Sequence, residues 1–278
     1  MKKFVVFLFA LILAAATAFA DSDNVNNGNH NGFHKNETND QAGGAARVRN
    51  SNVVDHGGPV MTAPKVVCIF WGFGASGNSY TAAMQDFRNR GIRNYINMLS
   101  QYRSAGTSAA GDMGGSANDK FDASTPPVAV TDAAVQAEVK KYFGGAEDAN
   151  TIYEVFIPSG SYSQDGTSTS CGGPHLAYCA YHGSFTDGTH NVKYSIEPYP
   201  GCAGCQSSGF NINQNANHFM IHETREAISD PNLNAWYDRS GNEADDKCAW
   251  SPAPFIDQST GFGYQLEWSN SAGGCVKQ

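Results

Sequence analysis

The segment Lys65–Trp71 (KVVCIFW) constrains the fold more than any other stretch of the chain. It is an unbroken apolar run rich in β-branched and aromatic residues, and Gly72 stops it. No polar residue alternates within it, so it reads as a strand buried on both faces. The elements around it build an α/β domain. Met84, Phe87, Tyr95, Ile96 and Leu99 recur at near-helical spacing between Tyr80 and Tyr102, with caps offered by Ser76–Ser79. Gly91 weakens the middle, so two shorter pieces are the alternative. Residues 104–118, rich in Gly, Ser and Ala, read as a loop. Val128–Val130 is extended, and Thr131 caps a helix through Phe143 that Gly144 and Gly145 end. Ile152–Ile157, Leu176–His182 and Val192–Glu197 read as strands. A third helix spans Asn213–Ser229, and Tyr264–Trp268 reads as a last strand. The order predicts one α/β domain with a mixed β-sheet. With 41% hydrophobic and 12% aromatic residues, the chain has enough apolar surface for a sizeable core.

The two ends of the N-terminal region read differently. Lys2 and Lys3 precede an apolar run from Phe4 to Ala16, and Ala18-Phe19-Ala20 places small residues where a signal peptidase cuts. Residues 1–20 are therefore expected to be a secretory signal peptide, and the run is short of the ~20 apolar residues a bilayer span needs. Asp21–Asp40 is Asn-rich, with only Val25 and Phe33 apolar, and residues 21–53 are read as a disordered tail. It carries the glycosylation sequon Asn36-Glu37-Thr38 and two isolated histidines, His30 and His34, read as passive. The globular domain is expected over residues 54–278. With 18 Lys+Arg against 26 Asp+Glu, the net charge is −8. Loss of Lys2 and Lys3 makes it 16 − 26 = −10. Such a balance gives no electrostatic footprint for nucleic acid. No membrane association is expected once the signal peptide is removed, so the product is expected to be secreted, extracellular or wall-associated.

An oxidising destination changes the reading of the seven cysteines. Cys68 lies inside the apolar strand and reads as a small buried hydrophobe. The other six suggest three disulfides. Cys171 and Cys179 are candidates to pair with Cys202 and Cys205, and Cys248 with Cys275, the connectivity being open. The rival is a zinc knuckle on Cys202-Ala203-Gly204-Cys205, which the compartment disfavours.

The chemistry concentrates on the third helix, in His218-Phe219-Met220-Ile221-His222-Glu223-Thr224-Arg225-Glu226. At about 100° per residue, His218, His222 and Glu226 form one stripe, while Met220, Ile221, Thr224, Ala227 and Ile228 fill the opposite arc. His222-Glu223-x-x-Glu226 has the geometry of the zincin motif H-E-x-x-H, with glutamate as the second ligand. Residues at i and i+4 present their heads to one ion, and Glu223 is placed to deprotonate a water there. His218 is an additional ligand candidate. A further ligand must come from outside the helix, with Asp230, Asp238, Glu243, Asp245 and Asp246 available. Two other readings stand beside zinc: a calcium site on the oxygen-rich loop Asp238–Asp246, or a solvated helix face with i,i+4 His–Glu pairs. His56-Gly57-Gly58-Pro59 reads as a tight turn, and His175 and His182 as surface or core-edge residues.

Three blocks resemble the phosphate-induced (EXORDIUM-like) family of secreted proteins. They are His56-Gly57-Gly58-Pro59-Val60-Met61-Thr62 with the strand KVVCIFWG, the cysteine region Cys171…Cys179 with Cys202-Ala203-Gly204-Cys205, and Ser229-Asp230-Pro231-Asn232-Leu233-Asn234-Ala235-Trp236-Tyr237 onward to Cys248. The resemblance spans about residues 54–278. It implies an extracellular or cell-wall-associated protein, linked in plant members to growth control. The chain looks closer to microbial relatives with H-E-x-x-E-x-x-x-D-P and G-x-E-x-x-D-x-C. Those patterns fall here on His222, Glu223, Glu226, Asp230, Gly241, Glu243, Asp246 and Cys248.

Two functions follow as expectations. One is a secreted metal-dependent, peptidase-like hydrolase acting on a peptide or cell-wall component. In it, His222 and Glu226 hold zinc with help from His218, Asp230, Glu243 or Asp246, and Glu223 is the general base. The other is a non-catalytic extracellular protein that binds glycan or a receptor in a growth or environmental response, with Trp236, Tyr237 and Trp250 as stacking platforms.

Overall fold

The computed structural model describes residues 32–34, 51–145 and 149–277. The expected signal peptide and nearly all of the expected tail, with its sequon, lie outside them. Six strands form a mixed sheet in the order Gly32–His34, Tyr178–Asp187, His190–Pro198, Thr151–Ile157, Lys65–Trp71 and Lys120–Asp122. Tyr178–Asp187 runs antiparallel to both of its neighbours, Gly32–His34 and His190–Pro198. The last three run parallel to His190–Pro198.

Lys65–Trp71 is a central strand because both of its faces find apolar cover. Val66, Cys68 and Phe70 point to one side, where Met84, Phe87, Met220, Ile221 and Ile228 pack. Ile69 and Trp71 point to the other, against Val135, Val139 and Phe143. Helices α1 (Ser79–Arg90) and α3 (Ile212–Ser229) thus cover one face, and α2 (Asp132–Phe143) the other. Each large side chain buried this way contributes about 1.5–3 kcal/mol.

The helix boundaries follow local chemistry. Asn78 caps α1 in a reciprocal box with Thr81, Thr131 caps α2, and Asn211 pairs with Gln214 at the start of α3. The Tyr80–Tyr102 helix breaks at Gly91, where a Cβ would stand 2.5 Å from the Phe87 ring. Beyond it the chain continues as 3₁₀ turns, Ile92–Tyr95 and Asn97–Gln101. The strand expected over Leu176–His182 instead runs Tyr178–Asp187 and forms a hairpin with His190–Pro198. The single strand expected over Tyr264–Trp268 is two: Gly263–Tyr264 pairs with Phe255–Ile256, and Glu267–Ser269 with Gly274–Val276. The break falls at Gln265, whose fully buried side chain turns inward to hydrogen-bond groups on α3.

Three disulfides close the structure: Cys171–Cys202, Cys179–Cys205 and Cys248–Cys275, with Cys68 free and buried. The sulfurs of Cys202 and Cys205 are thereby committed, which removes the thiolates a zinc knuckle needs. Among the described residues no helix is long and apolar enough to cross a membrane.

Candidate metal centre

The alternative reading of α3 as a solvated helix face fails. Every residue of α3 from Asn215 to Ser229 is buried. Sheet and helices pack on one side, and the segment that follows α3 folds back over the other. That segment is held by the Cys248–Cys275 bridge, by Gln265, and by a buried ion pair between Arg225 and Asp245. The solvated-face reading is therefore overturned. His218, His222, Glu223 and Glu226 are fully buried, so their polar heads must be compensated inside the protein.

Sheet register supplies a partner from below. Cys68 is paired with Glu154, Glu154 with Ser195, and Ser195 with His182, giving one lateral row of four residues across four strands. His182 ends that row and is fully buried, not a surface or core-edge residue. Its Nε2 lies 3.0 Å from Glu243 Oε2 and 3.6 Å from Glu226 Oε2. Its Nδ1 has no hydrogen-bond partner among the described residues.

The loop after α3 supplies the top. Asp246 Oδ1 lies 3.7 Å from His222 Nε2, and Glu226 Oε1 lies 3.3 Å from the same nitrogen. The backbone N–H of Glu243 donates to Asp246 Oδ2, and the N–H of Asp246 donates to Glu226 Oε1. Two sets of donor atoms therefore converge to within 4.8 Å: His222, Glu226 and Asp246, and His182, Glu223 and Glu226. Donors held ~2.1 Å from one ion at tetrahedral angles stand about 3.4 Å apart, close to the 3.3 Å between His222 and Glu226 and the 3.6 Å between His182 and Glu226.

The electrostatics ask for positive charge. Glu223 is fully buried, and neither of its oxygens has a hydrogen-bond partner among the described residues. Burial, and then the neighbouring carboxylates Glu226, Glu197, Asp246 and Glu243, push its pKa far above the usual range. Burial and then Glu243 do the same to Glu226, while burial and then Glu226 push Asp246 up to about 8. Arg225, the cation on this helix, is committed to Asp245 and Glu267. Burial lowers the pKa of His222, so its neutral, ligating form prevails.

Gln265 decides which imidazole nitrogen faces the cluster. Its amide nitrogen lies 2.9 Å from both the carbonyl oxygen and Oδ1 of Asp245. Those atoms only accept, so the amide nitrogen must face them and Oε1 must point the other way. Oε1 then accepts from His218 Nε2 at 2.8 Å and from His222 Nδ1 at 3.0 Å. With its proton on Nδ1, His222 presents a bare Nε2 lone pair to Glu226 and Asp246, the arrangement a metal-ligating histidine uses.

The remaining candidates are placed elsewhere. His218 supports Gln265 and belongs to neither donor set. Asp230 caps α3, its Oδ1 accepting from the backbone of Asn234 and Ala235. Glu243 sits beside His182. Asp238 pairs with Lys247, and Asp245 with Arg225. The aromatics proposed for sugar stacking are half-buried and stack on neighbouring side chains: Trp236 on Tyr102, Tyr237 flat on the exposed His56 with ring centroids 3.7 Å apart, and Trp250 against His218 and Phe219. The turn at His56–Pro59 lies against the chain leaving α3, with Gly58 N–H donating to the Asn234 carbonyl. A Cβ on Gly58 would clash with Asn234 at 1.9 Å. His182 and Gln265 were missed by the sequence reading, and neither has a local motif to betray it. No family model, curated protein or solved structure matches the chain.

Proposed function

We propose that this chain is a secreted metal-dependent hydrolase, peptidase-like in chemistry, with its ion held by His222, Glu226 and Asp246. The observation that carries the proposal is the fully buried Glu223 carboxylate, without a hydrogen-bond partner among the described residues and beside those donors. A structure that uses such a group only for packing would lose stability to it. Bound there, a divalent ion supplies Lewis acidity, polarising a carbonyl and lowering the pKa of water. Glu223 would take up a proton from water there, and Gln265 keeps His222 aimed. The mixture of imidazole and carboxylate donors suits zinc-class ions better than calcium, which takes oxygen ligands alone. Asp246 is the member that reaches solvent, its side chain 14% exposed, so substrate approaches along its edge. Three disulfides fit the extracellular destination that the N-terminal sequence implies.

The test combines zinc analysis with hydrolysis of a peptide library by wild type and Glu223→Gln. The expected result is activity in the wild type, and zinc without activity in the variant. Zinc-loaded wild type that cleaves no peptide would remove the hydrolase reading.

A further inference from the structure

We propose that the cluster holds two cations, with Glu226 as the bridge between them. The inference rests on the metal-binding reading above and adds a second ion to it. Its basis is that the two oxygens of Glu226 serve different partners. Oε1 faces His222 Nε2 at 3.3 Å, whereas Oε2 faces His182 Nε2 at 3.6 Å. A carboxylate so placed spans two ions, each on its own side.

The first position is the one formed by His222, Glu226 and Asp246. The second is formed by His182, Glu223 and Glu226, and Glu243 Oε2 stands within its reach, 3.0 Å from the same His182 nitrogen. The independent observation for the second position is Glu223: fully buried, both oxygens without a hydrogen-bond partner among the described residues, and a donor within 4.8 Å of His182 and Glu226. One of its oxygens would serve the inner ion, which would leave the other available to accept a proton.

Charge balance agrees. Glu223, Glu226, Glu243 and Asp246 bring four carboxylates together, the first three fully buried. Four ionised carboxylates carry −4, which one divalent ion halves and two such ions balance. The inner position is closed, with His182, Glu223 and Glu226 fully buried, whereas the outer one reaches solvent through Asp246. That asymmetry assigns a holding role to the inner ion and an open coordination site to the outer one.

The experiment strips the full chain with a chelator, reloads it with Zn(II) alone, and counts ions by elemental analysis and calorimetry. Two per chain are expected, falling to one in His182→Ala and to one in His222→Ala. The Co(II)-loaded wild type, which needs no variant to fold, should show the spin coupling of two ions that share a carboxylate, ~3.5–4 Å apart. One ion per chain without spin coupling, retained in His182→Ala, overturns the dinuclear proposal and leaves the single-ion reading standing. One ion that is lost in His182→Ala also overturns it. No bound ion overturns both.

Discussion

Gln265 Oε1 accepts a hydrogen bond from His222 Nδ1 at 3.0 Å, although the two residues lie 43 positions apart in the chain. The contact fixes the imidazole so that Nε2 faces Glu226 and Asp246. Replacing Gln265 with Leu removes no ligand, yet it frees the ring and strands the His218 donor. Zinc affinity measured by calorimetry should fall about 10- to 100-fold, the usual effect of losing such a support. An unchanged affinity would show that the ring is held by something else.

Glu223→Gln keeps the shape of the side chain and removes its ability to accept a proton. Hydrolysis should drop by at least ~100-fold in kcat/KM, as expected for loss of a general base. The outer ion should stay, since its three donors are untouched. Steady-state kinetics on zinc-analysed protein reads both. Loss of all zinc from this variant would instead make Glu223 purely a ligand.

Metal removal should matter more at high pH. Burial and Glu226 raise Asp246 from its ordinary 3.8 to about 8 in the metal-free fold. A raised folded value means that the metal-free chain has this stabilisation in full below about pH 4 and loses it as pH rises through about 8. Zinc replaces the proton, so its binding tightens as pH rises and releases protons. The gain in Tm on adding zinc should therefore be larger at pH 8 than at pH 5. Equal gains would contradict this.

Glu154 offers a separate pH test in the metal-stripped chain. Burial pushes its pKa from 4.5 up to about 8, against the pull of Thr224 and Arg88. Thr224 Oγ1 lies 2.5 Å from Glu154 Oε1 and 2.6 Å from the Met220 carbonyl oxygen. One hydroxyl proton cannot serve both acceptors, so a protonated Glu154 completes the set. The raised value means that stability from Glu154 is whole below about pH 4.5 and fades through pH 8. Glu154→Gln, neutral throughout, should gain on wild type from pH 5 to about pH 8 and level off above it in urea denaturation. Parallel pH profiles would sink the assignment.

The Cys248–Cys275 bridge closes a span of 27 residues in the segment that roofs α3. Cys248→Ser with Cys275→Ser should cost roughly 3–4 kcal/mol by loop entropy. Because Asp245 and Asp246 lie just before Cys248, zinc affinity should weaken as well. Denaturation and calorimetry on the same double variant test both effects, and full zinc affinity in a destabilised chain would uncouple the roof from the site.

By itself the sequence determined the parts whose signals are local. A run such as KVVCIFW has no polar side to expose, so it becomes a central strand, and Asn78, Thr131 and Asn211 start helices with their own side chains. The spacing of His222 and Glu226 also puts their heads together wherever α3 lies, because one helical turn is a fixed length. Tertiary structure alone decided the rest. Whether the polar stripe of α3 met water or protein depended on a roof folded from residues far downstream. His182 entered through the register of a sheet, and Gln265 through a kink between two short strands. Pairings across such distances are set by packing of the whole core, which leaves no periodicity or spacing in the chain to read.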